Sequence, residues 1–228
     1  QLMPGTGLCA VPDTVELTRH ALSLGVTQVV MLPPFYYKNP TDDGLFAAYA
    51  RIIEAVADNR LRIILYHIPQ MSSVPISHAL IERLLKAFPK TVAGIKDSAG
   101  DFANMVAMLK AFPDFSVLAG ADPLLKPLLE AGGHGCITAT SNLVGRQLAA
   151  VYKNHADPKR AGEAEAAQQR IVTVRNISNK FVQIPAIKGL VAHRYSDPAW
   201  TNVRPPLVKL TSAQQAELAA AMNELGAP

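Results

Sequence analysis

The sequence predicts an α/β fold with a parallel sheet. Three observations carry this: short apolar, β-branched-rich runs alternate with amphipathic stretches of ten or more residues; most of the runs are continuously apolar, as in strands covered on both faces; and they recur every 20 to 35 residues or so, the spacing of βα units. Helices then cover both faces of the sheet or surround a barrel. The strands are expected at 28–32 (QVVML), 62–66 (RIILY), 92–96 (VAGIK), 115–119 (FSVLA) and 135–139 (GCITA), with a weaker one at 2–4. The first helix is expected over 13–24, with apolar positions at Val15, Leu17, Ala21, Leu22 and Leu24, Asp13 or Thr14 as its N-cap and Gly25 as its end. Further helices are expected over 45–56, 77–88, 102–112 and 123–131, each opening after a polar residue or proline and closing near Gly, Pro or Asn. Beyond residue 139 the strand pattern stops, and 144–152, 161–176, 186–193 and 212–225 read as a helical annex.

Composition narrows the function. The 228 residues are 49% hydrophobic and 18% charged, the balance of a chain that buries a core rather than one that stays disordered. The net charge of +4 is scattered along the chain, which speaks against nucleic acid as a partner. With no apolar run near the roughly 18 residues of a membrane span and no signal-peptide pattern, the expectation is a cytoplasmic protein with no membrane partner. The cysteines are two, Cys9 and Cys136, too few for a disulfide framework and consistent with a reducing compartment.

In parallel α/β folds chemistry gathers where strands end and βα loops begin. Those ends carry Gly5-Thr6-Gly7, Pro33 to Tyr37, Tyr66-His67-Ile68-Pro69, Lys96-Asp97-Ser98, Gly120-Ala121-Asp122 and Thr140-Ser141-Asn142. Lys96 closes an apolar strand, where a desolvated amine becomes a nucleophile able to form a Schiff base with a carbonyl substrate. Its bland alternative is a lysine that reaches solvent or pairs with Asp97 or Asp101. Tyr66, and Tyr36 or Tyr37, stand at other strand ends, where a phenol can relay protons; singly, each is equally a packed ring with a bonded hydroxyl. His67, among apolar neighbours, reads as a structural histidine. The histidines and cysteines show no ligand spacing, so no metal is expected. The run Ala131 to Gly135 precedes its strand, so it shapes a turn instead of cradling phosphate. No P-loop, dinucleotide fingerprint or serine-hydrolase elbow is found.

Taken in order, Pro33-Pro34-Phe35-Tyr36-Tyr37, Leu65-Tyr66-His67-Ile68-Pro69, Gly94-Ile95-Lys96-Asp97-Ser98, Gly135-Cys136-Ile137-Thr138 and Ile184-Pro185-Ala186-Ile187-Lys188 resemble the dihydrodipicolinate synthase and N-acetylneuraminate lyase family. The resemblance implies a (β/α)8 barrel with C-terminal helices and a class I aldolase that needs no metal or organic cofactor. It assigns Lys96 to the Schiff base with pyruvate or another 2-oxo acid and Tyr66 to proton transfer. Tyr36, with Tyr37 as the alternate should the loop hold one extra residue, falls at the tyrosine that crosses a dimer interface, and a homotetramer of such dimers is implied. Tyr37, Ser98, Gly120, Asp122 and Ile137 fall at substrate-holding positions. There are two departures. Met71 stands where synthases carry the arginine that grips a semialdehyde carboxylate, and a thioether cannot supply that fork. This opens the alternative of a 2-keto-3-deoxy sugar-acid or 4-hydroxy-2-oxo-acid aldolase or dehydratase. The family's Gly-Thr-Thr-Gly-Glu motif is missing as well, which opens a second alternative, a relative that binds its ligand without turnover. A six-strand count and the start at Gln1 lead to the expectation that the first two βα units lie outside this sequence. Residues 1–155 then run from the third strand to the eighth helix, and 156–228 form the extension.

Overall fold

The computed structural model describes residues 2–226. They divide into two compact units, one running to Gly120 and taking in Ala131–Gly135, the other made of Ala121–Glu130 and the chain from Cys136 onward.

The first unit is the α/β layer that the sequence predicts. Its elements are α1 (Val11–Ser23), β1 (Gln28–Met31), α2 (Asp42–Val56), β2 (Arg62–His67), the short α3 (Pro69–Ser72), α4 (His78–Ala87), β3 (Val92–Asp97), α5 (Phe102–Ala111) and β4 (Ser116–Ala119). The strands lie in sequence order and pair parallel, with Met31 beside Leu65, Tyr66 beside Lys96 and Lys96 beside Leu118. The sheet core of Val29, Met31, Ile63, Leu65, Ile95 and Val117 is almost wholly buried, as continuous apolar strands require. Helix starts follow their caps. Thr41 accepts from Gly44 N (3.3 Å), Ser77 from Leu80 N (3.0 Å) and Asp101 from Asn104 N (3.0 Å), each satisfying an orphan amide of α2, α4 or α5.

The first helix differs from expectation. It starts at Val11 after Ala10, with neither Asp13 nor Thr14 as its cap. Pro12 takes a place in the first turn, where a missing N–H costs nothing, and this draws the start forward. Thr14 is turned instead to the incoming loop, where its hydroxyl accepts from Leu8 N (3.0 Å) and donates to Ala10 O (3.1 Å). The end is as expected. Gly25 lies at φ +80, its N–H bonds Leu22 O, and Val26 N bonds Ala21 O, the paired bonds of a Schellman turn. The weak strand at 2–4 reduces to one parallel bridge between Gly5 and Val30, because Pro4 has no N–H with which to extend a ladder.

The second unit is helical. A 3₁₀ turn (Asp122–Leu124) and α6 (Leu125–Glu130) replace the single helix expected over 123–131. The fifth strand, β5 (Gly135–Cys136), has two residues instead of five. The chain bends at once into α7 (Ser141–Asn154), whose first turn takes the carbonyls of Ala139 and Thr140 that a longer ladder would have used. Then come α8 (Ala161–Ser178), α9 (Gln183–Tyr195) and α10 (Ser212–Glu224), packed through Leu143, Val151, Ile171, Val174, Leu190 and Leu218. The five-stranded sheet is open: among the described residues it does not close into a barrel. None of the described helices is long and apolar enough to cross a membrane.

Candidate active site

The site grows from one pair of strands. Because β2 and β3 run parallel with Tyr66 opposite Lys96, both side chains leave the same face of the sheet at its C-terminal edge. Both are half-buried, and the Lys96 ammonium sits 4.0 Å from the centre of the Tyr66 ring. A cation at that distance over a phenol face gains about 0.5–2 kcal/mol, enough to prefer the placement without locking it. The pairing of Lys96 with Asp97 or Asp101 fails on geometry. Asp97 leaves the opposite face, and its oxygens accept from Ala99 N (2.8 Å) and Asn104 Nδ2 (3.0 Å). Asp101 caps α5. No ion pair to Lys96 forms among the described residues.

The loops beyond are tied to the strands and to each other. Ser98 N donates to His67 O (2.8 Å), Gly120 N to Asp97 O (2.7 Å), and the Gln70 side chain to Ser98 O (2.6 Å). The backbone of Gly120 lies directly against the Ser98 side chain, so a Cβ at Gly120 would collide with the Ser98 hydroxyl. Ser98 and Gly120 are thus brought together at the edge that bears Lys96. Tyr36 and Tyr37 are not joined to this group. They are 73% and 81% exposed, stacked edge to face at 5.4 Å between ring centres, on a loop anchored by Lys38 Nζ to Phe35 O (2.7 Å) and Ser72 O (3.3 Å). Met71 on α3 is 76% exposed.

Asp122 and Ile137 belong to the second unit. Asp122 is fully buried, and among the described residues neither of its carboxylate oxygens has a hydrogen-bond partner. The Arg175 guanidinium stands 3.6 Å from Oδ2 while donating to Thr140 Oγ1 (3.2 Å), and the Gln168 side chain donates to Asp122 O (3.1 Å). Burial and the Asp122 charge push the Cys136 thiol up to about 11. Ile137 is half-buried just beyond β5.

A lysine and a tyrosine side by side on adjacent parallel strands can serve amine chemistry on a carbonyl, and the whole-chain comparisons bear on that. The model of the dihydrodipicolinate synthetase family matches residues 1–225. The chain belongs to that family. It is 34% identical over 224 residues to an uncharacterized DapA-like lyase of Chloroflexus aurantiacus, covering 98% of this chain and 73% of that protein. It is 30% identical to the 4-hydroxy-tetrahydrodipicolinate synthase of Geotalea uraniireducens, covering 99% and 75%. Among solved structures it superposes on dihydrodipicolinate synthase from Agrobacterium tumefaciens with a TM-score of 0.86 at 30% identity, covering 98% and 74%. It also superposes on YagE, a family member from E. coli K12 solved with pyruvate, with a TM-score of 0.87 at 26% identity, covering 97% and 74%. Family relatives are lyases acting on small molecules, and membership of the family supports a lyase here. Reading the sequence for charge and nucleophiles missed Asn104 and Arg175. Neither sits in a motif, and only the fold sets them beside Asp97 and Asp122.

Proposed function

We propose that the protein is a Schiff-base lyase or aldolase in which Lys96 condenses with pyruvate or another 2-oxo acid. The observation that carries this is the Lys96–Tyr66 pair, in register on β3 and β2 with the amine 4.0 Å from the ring centre, in a member of the dihydrodipicolinate synthetase family. The neutral amine attacks the ketone carbon, the ketone oxygen leaves as water, and an iminium remains. Loss of a proton from the adjacent carbon gives an enamine. That carbon attacks an aldehyde, and hydrolysis returns the free lysine. Run backwards, the same steps cleave the bond. Tyr66 moves the protons to and from the carbinolamine and the aldehyde oxygen. Ser98 and Gly120 hold the substrate at the strand edge, and the resemblance alone assigns Asp122 and Ile137 to it. Tyr36, with Tyr37 as alternate, is assigned to a partner subunit's site in a homotetramer, a reading that their exposure and mutual stacking support.

For the substrate, the reading is an aldol adduct of the hydroxylated 2-oxo-acid or 2-keto-3-deoxy sugar-acid class, cleaved to pyruvate and an aldehyde other than aspartate semialdehyde, because the exposed Met71 offers no fork to a second carboxylate. The open edge at Met3 to Gly5, beside a groove of about 370 Å³ lined by Leu2, Leu17, Ala21 and Leu24, fits the packing of two further βα units that would complete a barrel. Residues 1–155 are then the later barrel units and 156–228 the helical extension.

Pyruvate with borohydride, followed by peptide mass spectrometry, tests the chemistry. A reduced pyruvyl group on Lys96 is expected, and a folded protein that yields no adduct overturns the reading in favour of ligand binding without turnover. Turnover on a panel of 2-keto-3-deoxy acids against aspartate semialdehyde then decides the substrate.

A further inference from the structure

The residues that follow Tyr66 and Lys96 in sequence form a second arrangement, on the opposite face of the same two strands. His67 lies opposite Asp97, and they are 7% and 0% exposed. His67 Nδ1 accepts from Ile76 N (3.1 Å), so the ring carries its proton on Nε2, and a second proton on Nδ1 would set two N–H groups against each other. Asp97 accepts from Ala99 N and from Asn104 Nδ2. Since the Asn104 amide donates there, its oxygen accepts from His78 Nε2 (3.0 Å). Asp97 and His67 also hold the loops through their backbone carbonyls, which accept from Gly120 N and Ser98 N.

We propose that Asp97, Asn104 and the neutral ring of His67 are positioning residues, which fix the backbone presenting Lys96 and Tyr66, and that a proton on His67 loosens it. This rests on the Schiff-base reading for its effect on rate. The charged and titratable groups facing His67 are Asp97 from β3, which favours its protonation, and His78 from α4, which opposes it; burial opposes it most. A layer of this kind acts at a distance, since a small displacement of an attacking amine costs rate without removing a contact to substrate.

The test uses the full chain and two readouts. The first is the rate of borohydride-trapped pyruvate adduct between about pH 4.5 and 8, with thermal unfolding confirming that each variant is folded. Asn104→Ala and His67→Leu are expected to lower trapping about tenfold at the upper pH, while His67→Asn, whose oxygen stands near the place of Nδ1 and takes no proton, recovers most of it. Because imine formation with any amine depends on pH, the informative quantity is the ratio of wild-type to His67→Asn rates. It is expected to fall about tenfold towards the acid end. A flat ratio, or wild-type trapping in Asn104→Ala, overturns the proposal. The second readout is the protection factor of the Ile76 and Ser98 amides, their exchange measured against the intrinsic rate at the same pH, expected to fall with acid in wild type but not in His67→Asn. A wild type that traps no pyruvate overturns the Schiff-base reading, and the positioning claim then stands or falls on exchange, with unchanged protection at both amides overturning it.

Discussion

The two faces of β2 and β3 at their C-terminal ends differ sharply in how their side chains are held. On one face Tyr66 and Lys96 are half-buried and held mainly against each other, ammonium over ring. One residue further along, on the other face, His67 and Asp97 are buried and hydrogen-bonded to Ile76, Ala99 and Asn104. The difference separates two tasks. On the proposed Schiff-base reading, the groups that meet a substrate keep free bonding capacity, and their neighbours in sequence spend theirs on holding the backbone still.

Substitutions can break this contrast from either side. The largest effect is on chemistry: Lys96→Met abolishes the trapped adduct, and Tyr66→Phe lowers turnover by about 10²–10⁴-fold, both with melting temperatures close to wild type. On the face of His67 and Asp97 the order reverses. Asp97→Ala strips the acceptor from Ala99 N and Asn104 Nδ2 and costs about 3 kcal/mol in denaturant unfolding. In the loops at the edge that bears Lys96, Gly120→Ala drives a methyl into Ser98 and costs about 2 kcal/mol by overpacking, and Ser98→Gly in the same chain restores most of it. The smallest effect is a pH dependence of stability. Burial lowers the His67 pKa, so the unfolded chain takes up the proton first. Stability is therefore full above the roughly 6.5 of a free imidazole and falls as pH drops towards the folded value, a slope that His67→Asn reduces.

Much of this was legible in the residues. The strands at 28–32, 62–66, 92–96 and 115–119 show in their apolar runs because burial on both faces leaves no room for polar alternation. Lys96 and Tyr66 stood out because each interrupts such a run at its end. The losses have physical causes as well. Pro12 moved the start of α1, Pro4 stopped a ladder, and the turn into α7 cut β5 to two residues, each a local backbone contest that hydrophobicity does not record. Adjacency in sequence offers Asp97 as a partner of Lys96, whereas neighbours in a strand point apart. Asn104 and Arg175 meet their acids only through tertiary packing.

The environment of Cys136 has a practical consequence. With its thiol pushed up to about 11, on the order of one molecule in three thousand carries the thiolate at about pH 7.5. Cys9 is exposed on the loop before α1. A maleimide dye applied briefly at neutral pH therefore marks Cys9 and leaves Cys136 untouched, which places a fluorescent reporter on the loop before α1 with no engineering of the chain.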